Sequence, residues 1–394
     1  MITRRMAASL GIIALVLAGC TGDQGGGSPG DGGEGDCSVG VSWNNFQQPR
    51  WAATDQPNIQ ETVEAGGGTY SDFDANLDTE QQLTDVETLI NQGIDVLILL
   101  PQDSSVVGPA LEAAAEADIP VIAYDRLVED PNVLYITFDN IGVGEAEAEG
   151  IFEVVPEGNY VLIKGDPGDP NASIFLPLGW DNAGLADKVE SGEITLVNGP
   201  DGTFTDAWDT ETAQNNMEAI IDAANADGVQ IDAVLAENDS TALGVAAALQ
   251  AKNYEPYPPV SGQDGDPANL NNVAKGFQHI DVWKNSNELG KAAGAAALQL
   301  CEGTEMADIT LADDLLDPLV VPEAGLTAAD FVTPGPDGEP DSGDENTVKS
   351  FILQPTPVTA EELDLVFDAG WYATQEEICE GVTADMPGAE DCGV

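Results

Sequence analysis

The sequence predicts an α/β fold made of two similar lobes, each with a parallel sheet covered by helices. Short β-branched runs alternate with longer amphipathic stretches from Cys37 onward, which is typical of βαβ units. The alternation restarts near Val133 and continues for long enough to build a second lobe. Polar and aromatic residues follow the ends of several strands, and ligands of open parallel sheets bind at that edge.

The first lobe is predicted to alternate four strands with three helices. Most strands are short runs of valine, isoleucine and leucine, and the helices carry apolar residues at helical spacing. The predicted strands cover 39–43, 68–76, 95–101 and 120–125, and the helices between them end near 64, 93 and 117. Because this order is βαβαβαβ, the strands are expected to run parallel with helices covering the sheet.

The second lobe is predicted from a repeat of the same pattern. Its strands cover 133–140, 159–166, 194–201, 232–239 and 259–266. Its first helix begins at Gly142, and a second, long helix extends past Leu185. Two more helices cover 210–225 and 240–253. A strand over 276–284, a helix over 285–301 and a last helix over 359–371 complete the chain.

The N-terminus has the features of an export signal. Two arginines precede an apolar run over 10–18, which is followed by the motif LAGC ending at Cys20. We predict a signal peptide over 1–19. Because LAGC resembles the bacterial lipobox, we also predict a lipid on Cys20 that anchors the protein at the outer face of the cytoplasmic membrane. The run is shorter than the ~20 residues of a spanning helix, which disfavours a transmembrane anchor. Residues 20–36, rich in Gly and Asp, are predicted to be a flexible tether.

The composition is strongly acidic. The chain has 71 acidic and 11 basic residues, a formal net charge of -60, and an ordinary 42% of hydrophobic residues. This combination indicates a foldable chain with an acidic surface rather than a disordered one. Such a surface repels nucleic acid and favours function in high salt, where self-repulsion is screened.

Four cysteines remain if Cys20 carries lipid: Cys37, Cys301, Cys379 and Cys392. An even number in an exported protein favours disulfides, but four cysteines allow three pairings and the sequence does not choose among them. No Cys/His spacing indicates a zinc site.

Residues 320–346 interrupt the α/β rhythm with proline, glycine and acidic residues. We interpret this segment as a solvated surface insertion. Its carboxylates suggest Ca²⁺ as an alternative, but their order does not match an EF-hand loop.

The candidate site lies at the predicted strand ends. Three of the nine basic residues that remain after Arg4 and Arg5 are removed occur there, although the surface is acidic. For any one of them, structural ion pairing is as good an explanation as ligand binding. Carboxylates, cations and amides together supply donors and acceptors for hydroxyl groups, and a tryptophan face suits the C–H face of a sugar. The strand ends carry Asn44, Asn45, Phe46, Arg50, Trp51, Asp125, Arg126, Asp169, Asn171, Trp208, Glu237, Asn238, Asp239, Asp264 and Lys284. The candidate ligand-binding residues among them are Arg50, Trp51, Asp125, Arg126, Asp169, Asn171, Trp208, Asn238, Asp264 and Lys284.

Catalytic signatures are weak, and we predict neither catalytic residues nor a cofactor nor a metal. The one histidine, His279, lies inside a predicted strand with no nucleophile placed beside it. Neither G-x-S-x-G nor a Walker A motif occurs, and residues 142–150 lack the glycine spacing of a dinucleotide loop. Asp264 and Asp266 are close enough in sequence to suggest glycoside cleavage, but neighbouring acids abound in so acidic a chain.

Several of these segments resemble the periplasmic D-xylose-binding proteins, which are substrate-binding components of sugar ABC transporters in the ribose/galactose-binding group. The motifs are AYDR, TFDN, GNYVLIKGDPGDPNA, AENDSTALG, VSGQDGD and DVWK. The resemblance runs from about Val39 to Trp371, and AYDR together with SGQD is its most specific part. Its sugar contacts fall on nine of the ten candidate residues, all except Trp51.

The resemblance implies a periplasmic binding protein of type I, with two lobes joined by a three-crossing hinge. We expect the first lobe to comprise 37–139 and about 279–348, and the second lobe 140–278 and about 349–394. We further expect a monomer that closes on an aldopentose, D-xylose, and delivers it to an ABC permease. Asp125 and Arg126 are expected to hold each other's geometry while they bind sugar hydroxyls.

Three alternatives remain open. The first is a receptor for another aldose or a signalling sugar, coupled to a sensor. The second is a sugar-responsive transcription regulator, which the export signal and the lack of a basic N-terminal DNA-binding region disfavour. The third is an enzyme, which would form product from a sugar.

Overall fold

The computed structural model describes residues 37–311, 319–320 and 349–394. The predicted signal peptide, the tether with Cys20 and nearly all of the predicted insertion at 320–346 lie outside the described residues. Within those described ranges, no helix is long and apolar enough to cross a membrane.

The described elements alternate along the chain largely as the sequence predicts. The strands are β1 (Ser38–Trp43), β2 (Thr69–Asp74), β3 (Val96–Leu99), β4 (Val121–Tyr124), β5 (Val133–Phe138), β6 (Gly158–Ile163), β7 (Ile194–Leu196), β8 (Ala233–Ala236), β9 (Asp281–Trp283), β10 (Leu319–Val320), β11 (Lys349–Leu353) and β12 (Thr356–Val358). The helices are α1 (Gln56–Ala65), α2 (Thr79–Gln92), α3 (Gly108–Glu116), α4 (Asn140–Val154), α5 (Leu176–Asn182), α6 (Leu185–Ser191), α7 (Thr210–Asp227), α8 (Asp239–Lys252), α9 (Pro267–Lys275), α10 (Ser286–Cys301), α11 (Leu363–Asp368) and α12 (Gln375–Ile378).

The first lobe is built on a seven-stranded sheet in the order β10-β11-β5-β4-β3-β1-β2. Every neighbouring pair is parallel except β10 with β11. The central strands are apolar on both faces, because α1 and α10 pack on one side and α2 and α3 on the other. Because β1 and β4 run in the same direction, their carboxyl ends lie at the same edge of this sheet.

The second lobe has a parallel three-stranded sheet in the order β7-β6-β8 and a two-stranded antiparallel sheet of β9 and β12. Single bridges join Val234 to Val260 and Gln263 to Val282, so β9 continues this lobe beyond β8. Ile280 and Val282 accordingly pack in the same apolar core as Leu162.

The lobe boundaries expected at about 279 and 349 are corrected by the strand pairing. β9 follows residue 279 yet pairs within the second lobe, and the first lobe resumes only with α10, whose Leu289 packs beside β1. β11 follows residue 348 yet pairs in parallel with β5 of the first lobe. The chain therefore passes between lobes after β5, after β9 and after β11. The expected boundary at 139 agrees with the first of these crossings.

Three element predictions also change. The helix expected past Leu185 is interrupted at Gly184, whose φ of 105° ends a helical segment and starts α6. The strand expected over 259–266 forms only single bridges, since Asp264 and Gly265 take positive φ. The last helix is limited to α11, and α12 follows after Gly370 with a φ of 68°.

Two disulfides resolve the pairing that the sequence left open. Cys37, before β1, pairs with Cys301 at the end of α10, and Cys379 pairs with Cys392. The first bond links the two ends of the first lobe's core, and the second closes a short loop near the C-terminus.

Candidate functional site

One cavity, with about 280 Å³ of empty space, lies where the strand ends of both lobes meet. All ten candidate residues line the cavity, together with two that the sequence analysis did not include. The lining is Gln48, Arg50, Trp51, Asp125, Arg126, Asp169, Asn171, Trp208, Asn238, Gln263, Asp264 and Lys284.

Arg50 lies at the centre of a buried charge network. Its Nη2 is 3.0 Å from Asp55 Oδ1 and 3.2 Å from Asp125 Oδ1, and its Nη1 is 3.0 Å from Asp264 Oδ1. The guanidinium carbon also lies 4.1 Å from the Trp51 ring centre. Burial lowers the pKa of Arg50, but the three carboxylates outweigh this effect and raise it, so the side chain stays charged.

A second ion pair crosses between the lobes. Arg126 Nε of the first lobe lies 2.7 Å from Asp169 Oδ2 of the second, and Trp208 donates its indole N–H to the same oxygen at 3.2 Å. Arg126 also donates to the carbonyl of Pro101 at 3.0 Å. Burial raises the pKa of Asp169, and the Arg126 charge opposes that shift.

The expectation that Asp125 and Arg126 hold each other is wrong. Asp125 pairs with Arg50, whereas Arg126 pairs with Asp169. The reason is the backbone at Asp125, whose φ of 64° turns the chain sharply between the two side chains. The Asp125 carbonyl, held by the hydroxyl of Thr137 at 2.7 Å, fixes this turn.

Three residues of the cavity lining have a strained backbone. Asp125, Trp208 and Asp264 have φ values of 64°, 57° and 107°, which are costly for residues with a side chain. In addition, Trp51 and Asn171 each begin a π-helical segment, a conformation that is frequent at functional sites. These features place polar side chains in the cavity at the expense of local stability.

Lys284 and Asn238 offer polar groups from the edge of the second lobe. Burial lowers the pKa of Lys284, and the charges of Asp264 and Asp125 oppose this shift. In the part of the chain that the structure describes, no carboxylate lies within 4.0 Å of its Nζ. Asn238 caps α8 by accepting the N–H of Thr241 with its Oδ1.

Sequence reasoning missed Asp55, Gln48 and Gln263. Asp55 is completely buried and holds Arg50 by two hydrogen bonds, although it does not line the cavity. Gln263 immediately precedes Asp264 in the SGQD motif, so its position beside the site could have been inferred. Gln48 lies between the end of β1 and Arg50, so it follows the same strand end as Arg50 but was not included among the candidates.

Several polar atoms of the lining have no partner in the protein. Among the described residues, Gln48 Nε2, Trp51 Nε1 and Gln263 Oε1 are buried and form no hydrogen bond. Buried polar atoms of this kind are rare unless a ligand or water satisfies them. With charged donors and acceptors beside them, they can bind a small molecule rich in hydroxyl groups.

A family model described as a periplasmic binding protein domain matches residues 39–305, which is more than half of the chain. The chain belongs to this family of periplasmic binding proteins. The match covers most of both lobes of this binding protein and ends shortly after α10.

Characterised relatives agree with that assignment. The D-xylose-binding periplasmic protein of Escherichia coli is 35% identical over 74% of this chain and 86% of its own length. The multiple sugar-binding periplasmic receptor of Rhizobium radiobacter is 29% identical over 75% of this chain and 84% of the receptor. These relatives are binding proteins rather than enzymes.

A solved structure shares the fold. It is an ABC transporter solute-binding protein from Clostridium phytofermentans with bound β-D-glucose. It superimposes with a TM-score of 0.71 and 31% identity, and the alignment covers 86% of this chain and 99% of that one. The family match and this solved structure confirm the predicted type I periplasmic binding protein fold.

Proposed function

We propose that this binding protein captures an aldopentose, D-xylose, between its lobes and delivers it to the permease of an ABC transporter. The observation that carries the proposal is the lining of one small cavity by charged, amide and indole groups from both lobes. Relatives named for D-xylose binding in Escherichia coli and Haemophilus influenzae, at 35% and 34% identity, support the choice of sugar.

The chemistry of the lining suits a monosaccharide. Carboxylates such as Asp125 accept hydrogen bonds from hydroxyl groups, and Arg126 and Lys284 donate to hydroxyl and ring oxygens. Charged partners make these bonds shorter and stronger than neutral ones. The rings of Trp51 and Trp208 can pack against the C–H faces of the sugar.

Binding is coupled to closure in this proposal. Residues of the first lobe, such as Arg50, and of the second lobe, such as Asp264, contact one sugar together only when the lobes are closed. The sugar therefore shifts the equilibrium between open and closed forms toward the closed one. The permease would recognise the closed form.

A receptor for another aldose is a second candidate, since relatives favour it specifically. The receptor from Rhizobium radiobacter is named for multiple sugars, and the structure from Clostridium phytofermentans holds β-D-glucose. Such a receptor would present the closed lobes to a sensor rather than to a transporter.

A ligand screen tests both candidates. The full-length chain in molar NaCl would be heated with D-xylose, L-arabinose, D-ribose, D-glucose or myo-inositol, and positive sugars would be titrated by calorimetry. We expect saturable binding of D-xylose, seen as a raised thermal midpoint. Binding of hexoses alone would replace the pentose with a hexose, and no shift with any sugar would contradict sugar binding.

A pair of lysine variants locates the binding. Lys284→Met removes a buried cavity cation, and we expect sugar binding to fall by at least tenfold. Lys252→Met is the matched control, because Lys252 lies on α8 and pairs at the surface with Asp222. Equal affinities of the two variants would contradict the assignment of the site.

Product analysis after incubation of the chain with each sugar tests the enzyme alternative, and we expect no product.

We also propose that Cys20 carries the lipid anchor, on the basis of the LAGC motif. After expression in an exporting bacterium and detergent phase partition, the parent chain should enter the detergent phase and the Cys20→Ala variant the aqueous phase. A parent chain that already partitions into the aqueous phase would contradict lipidation.

A further inference from the structure

The loop from Gln263 to Asp266 presents Asp264 to the cavity in a strained conformation. Asp264 and Gly265 have φ values of 107° and 84°, two successive positive values. A side chain at Gly265 is excluded as well, since a Cβ there would lie 2.3 Å from Trp283 Cδ1. A loop of this kind persists only when its surroundings hold it.

Two buried carboxylates hold the loop from inside the second lobe. Asp239 Oδ2 accepts the N–H groups of Gly265 at 3.0 Å and of Asp266 at 2.7 Å. Asp281 Oδ1 accepts the N–H of Gly265 at 3.1 Å. These contacts fix the N–H groups of Gly265 and Asp266, and the Asp239 N–H also bonds the Gln263 carbonyl at 3.0 Å. They leave the Gly265 carbonyl to other residues.

The Gly265 carbonyl and the Asp266 carboxylate are held by the C-terminal segment, residues 363–394. Trp371 donates its indole N–H to the Gly265 carbonyl at 2.6 Å, and Tyr372 donates its hydroxyl to Asp266 Oδ1 at 2.6 Å. The Trp371 ring also packs edge-on against Trp283, with ring centres 5.5 Å apart. Trp283 immediately precedes the cavity residue Lys284, so the segment contacts the neighbours of two site residues.

The C-terminal segment is itself anchored to the second lobe. Leu363, Val366 and Ile378 pack in one apolar cluster with Leu270 of α9. Asn271 of α9 donates to the carbonyls of Ile378 and Glu380 at 2.7 and 3.0 Å, and the Cys379–Cys392 disulfide closes the segment's end. A rigid support of this kind can restrain the loop that it contacts.

We propose that Trp371 and Tyr372 are positioning residues for ligand binding, which hold the Asp264 loop in its binding conformation without touching the ligand. Neither residue lines the cavity, and both lie beyond residue 305, where the family match ends. This inference rests on the proposed sugar-binding function. It adds a role for the C-terminal segment in setting the affinity.

Conservative variants of the full-length chain test the proposal, with D-xylose and D-glucose as probes. Trp371→Phe keeps most of the ring packing but removes the donor to Gly265, and Tyr372→Phe removes the donor to Asp266. We expect each to weaken sugar binding in calorimetry, by about tenfold for Trp371→Phe. Trp180→Phe is the matched control, because the Trp180 indole N–H bonds Glu147 in the same lobe at 2.9 Å, outside the cavity lining.

A double-mutant cycle separates positioning from general stability. If Trp371 acts through Asp264, Trp371→Phe should have little further effect on affinity in an Asp264→Asn background. Equal effects in both backgrounds, or unchanged affinity of both Trp371→Phe and Tyr372→Phe, would overturn the proposal. An affinity loss in Trp180→Phe as large as in Trp371→Phe would also overturn it. A parent chain that binds neither probe would instead contradict the proposed function and remove the basis of this inference.

Discussion

Arg50 of the first lobe and Asp264 of the second form a buried ion pair, with 3.0 Å between Nη1 and Oδ1. Arg126 and Asp169 form another across the same cleft. All four residues line the cavity, so these two ion pairs between the lobes belong to the residues proposed to bind the ligand. Closure and ligand recognition are therefore expected to depend on the same charges.

Neutralising Asp264 should weaken both closure and binding. Asp264→Asn keeps the shape of the side chain but removes the charge opposite Arg50. We expect an affinity loss of roughly 2 kcal/mol, or about 30-fold, in calorimetry. X-ray scattering should show a larger radius of gyration without sugar. Asp222→Asn, at a surface pair with Lys252, is the control and should change neither quantity.

Removing Arg126 should strand a buried carboxylate. Asp169 is 2% exposed, and Arg126→Ala leaves it without its cation. We expect sugar affinity to fall by about 2–5 kcal/mol, measured by calorimetry. Lys291→Ala, which breaks a partly exposed pair with Glu288 on α10, should bind like the parent. Parent-like affinity of Arg126→Ala would contradict its role.

Stability should depend on pH through Asp281. Burial raises the pKa of Asp281 to about 8, and the charges of Asp264 and Asp266 add to this shift. An unfolded aspartate titrates near 3.9, so the folded chain keeps a proton that the unfolded chain releases at intermediate pH. The free energy of unfolding should therefore fall as pH rises from about 4 to about 8, by up to about 1.4 kcal/mol per unit for one proton.

Asp281→Asn tests this linkage, since asparagine retains an acceptor for the N–H of Gly265. In this variant the free energy of unfolding, measured with denaturant, should fall less between pH 5 and pH 8 than it does in the parent. Burial also raises the pKa of Asp266 to about 7, so part of the pH dependence should remain. An unchanged slope in Asp281→Asn would show that Asp281 does not carry the proton.

High salt should stabilise the fold. A formal net charge of -60 implies strong self-repulsion, which ions screen over about 3 Å at molar concentration and about 10 Å at 0.1 M. We expect the thermal midpoint to rise between 0.1 and 2 M NaCl. Sucrose at equal osmolality is the control, because it does not screen charge. A midpoint independent of NaCl would contradict adaptation to high salt.

Much of the site could be predicted because strand ends are visible in the sequence. A short apolar run followed by a polar residue marks the carboxyl end of a parallel strand, and this rule found Asp125 and Asn238. It could not find Asp55, because Asp55 lies in a helical segment rather than at a strand end and bonds Arg50 from there. It also assigned Arg126 to its sequence neighbour rather than to Asp169.

The sequence by itself determined the α/β class, the repetition of two lobes and the strand ends at which the candidate residues lie. These follow from local patterns, because hydrophobic periodicity and the ends of apolar runs are properties of neighbouring residues. Tertiary structure alone decided that β11 pairs with β5, that Cys37 bonds Cys301, and that Arg50 pairs with Asp125 and Asp264. Each of these is a choice among distant partners of similar chemistry, and only the packing of the whole chain brings one of them within reach.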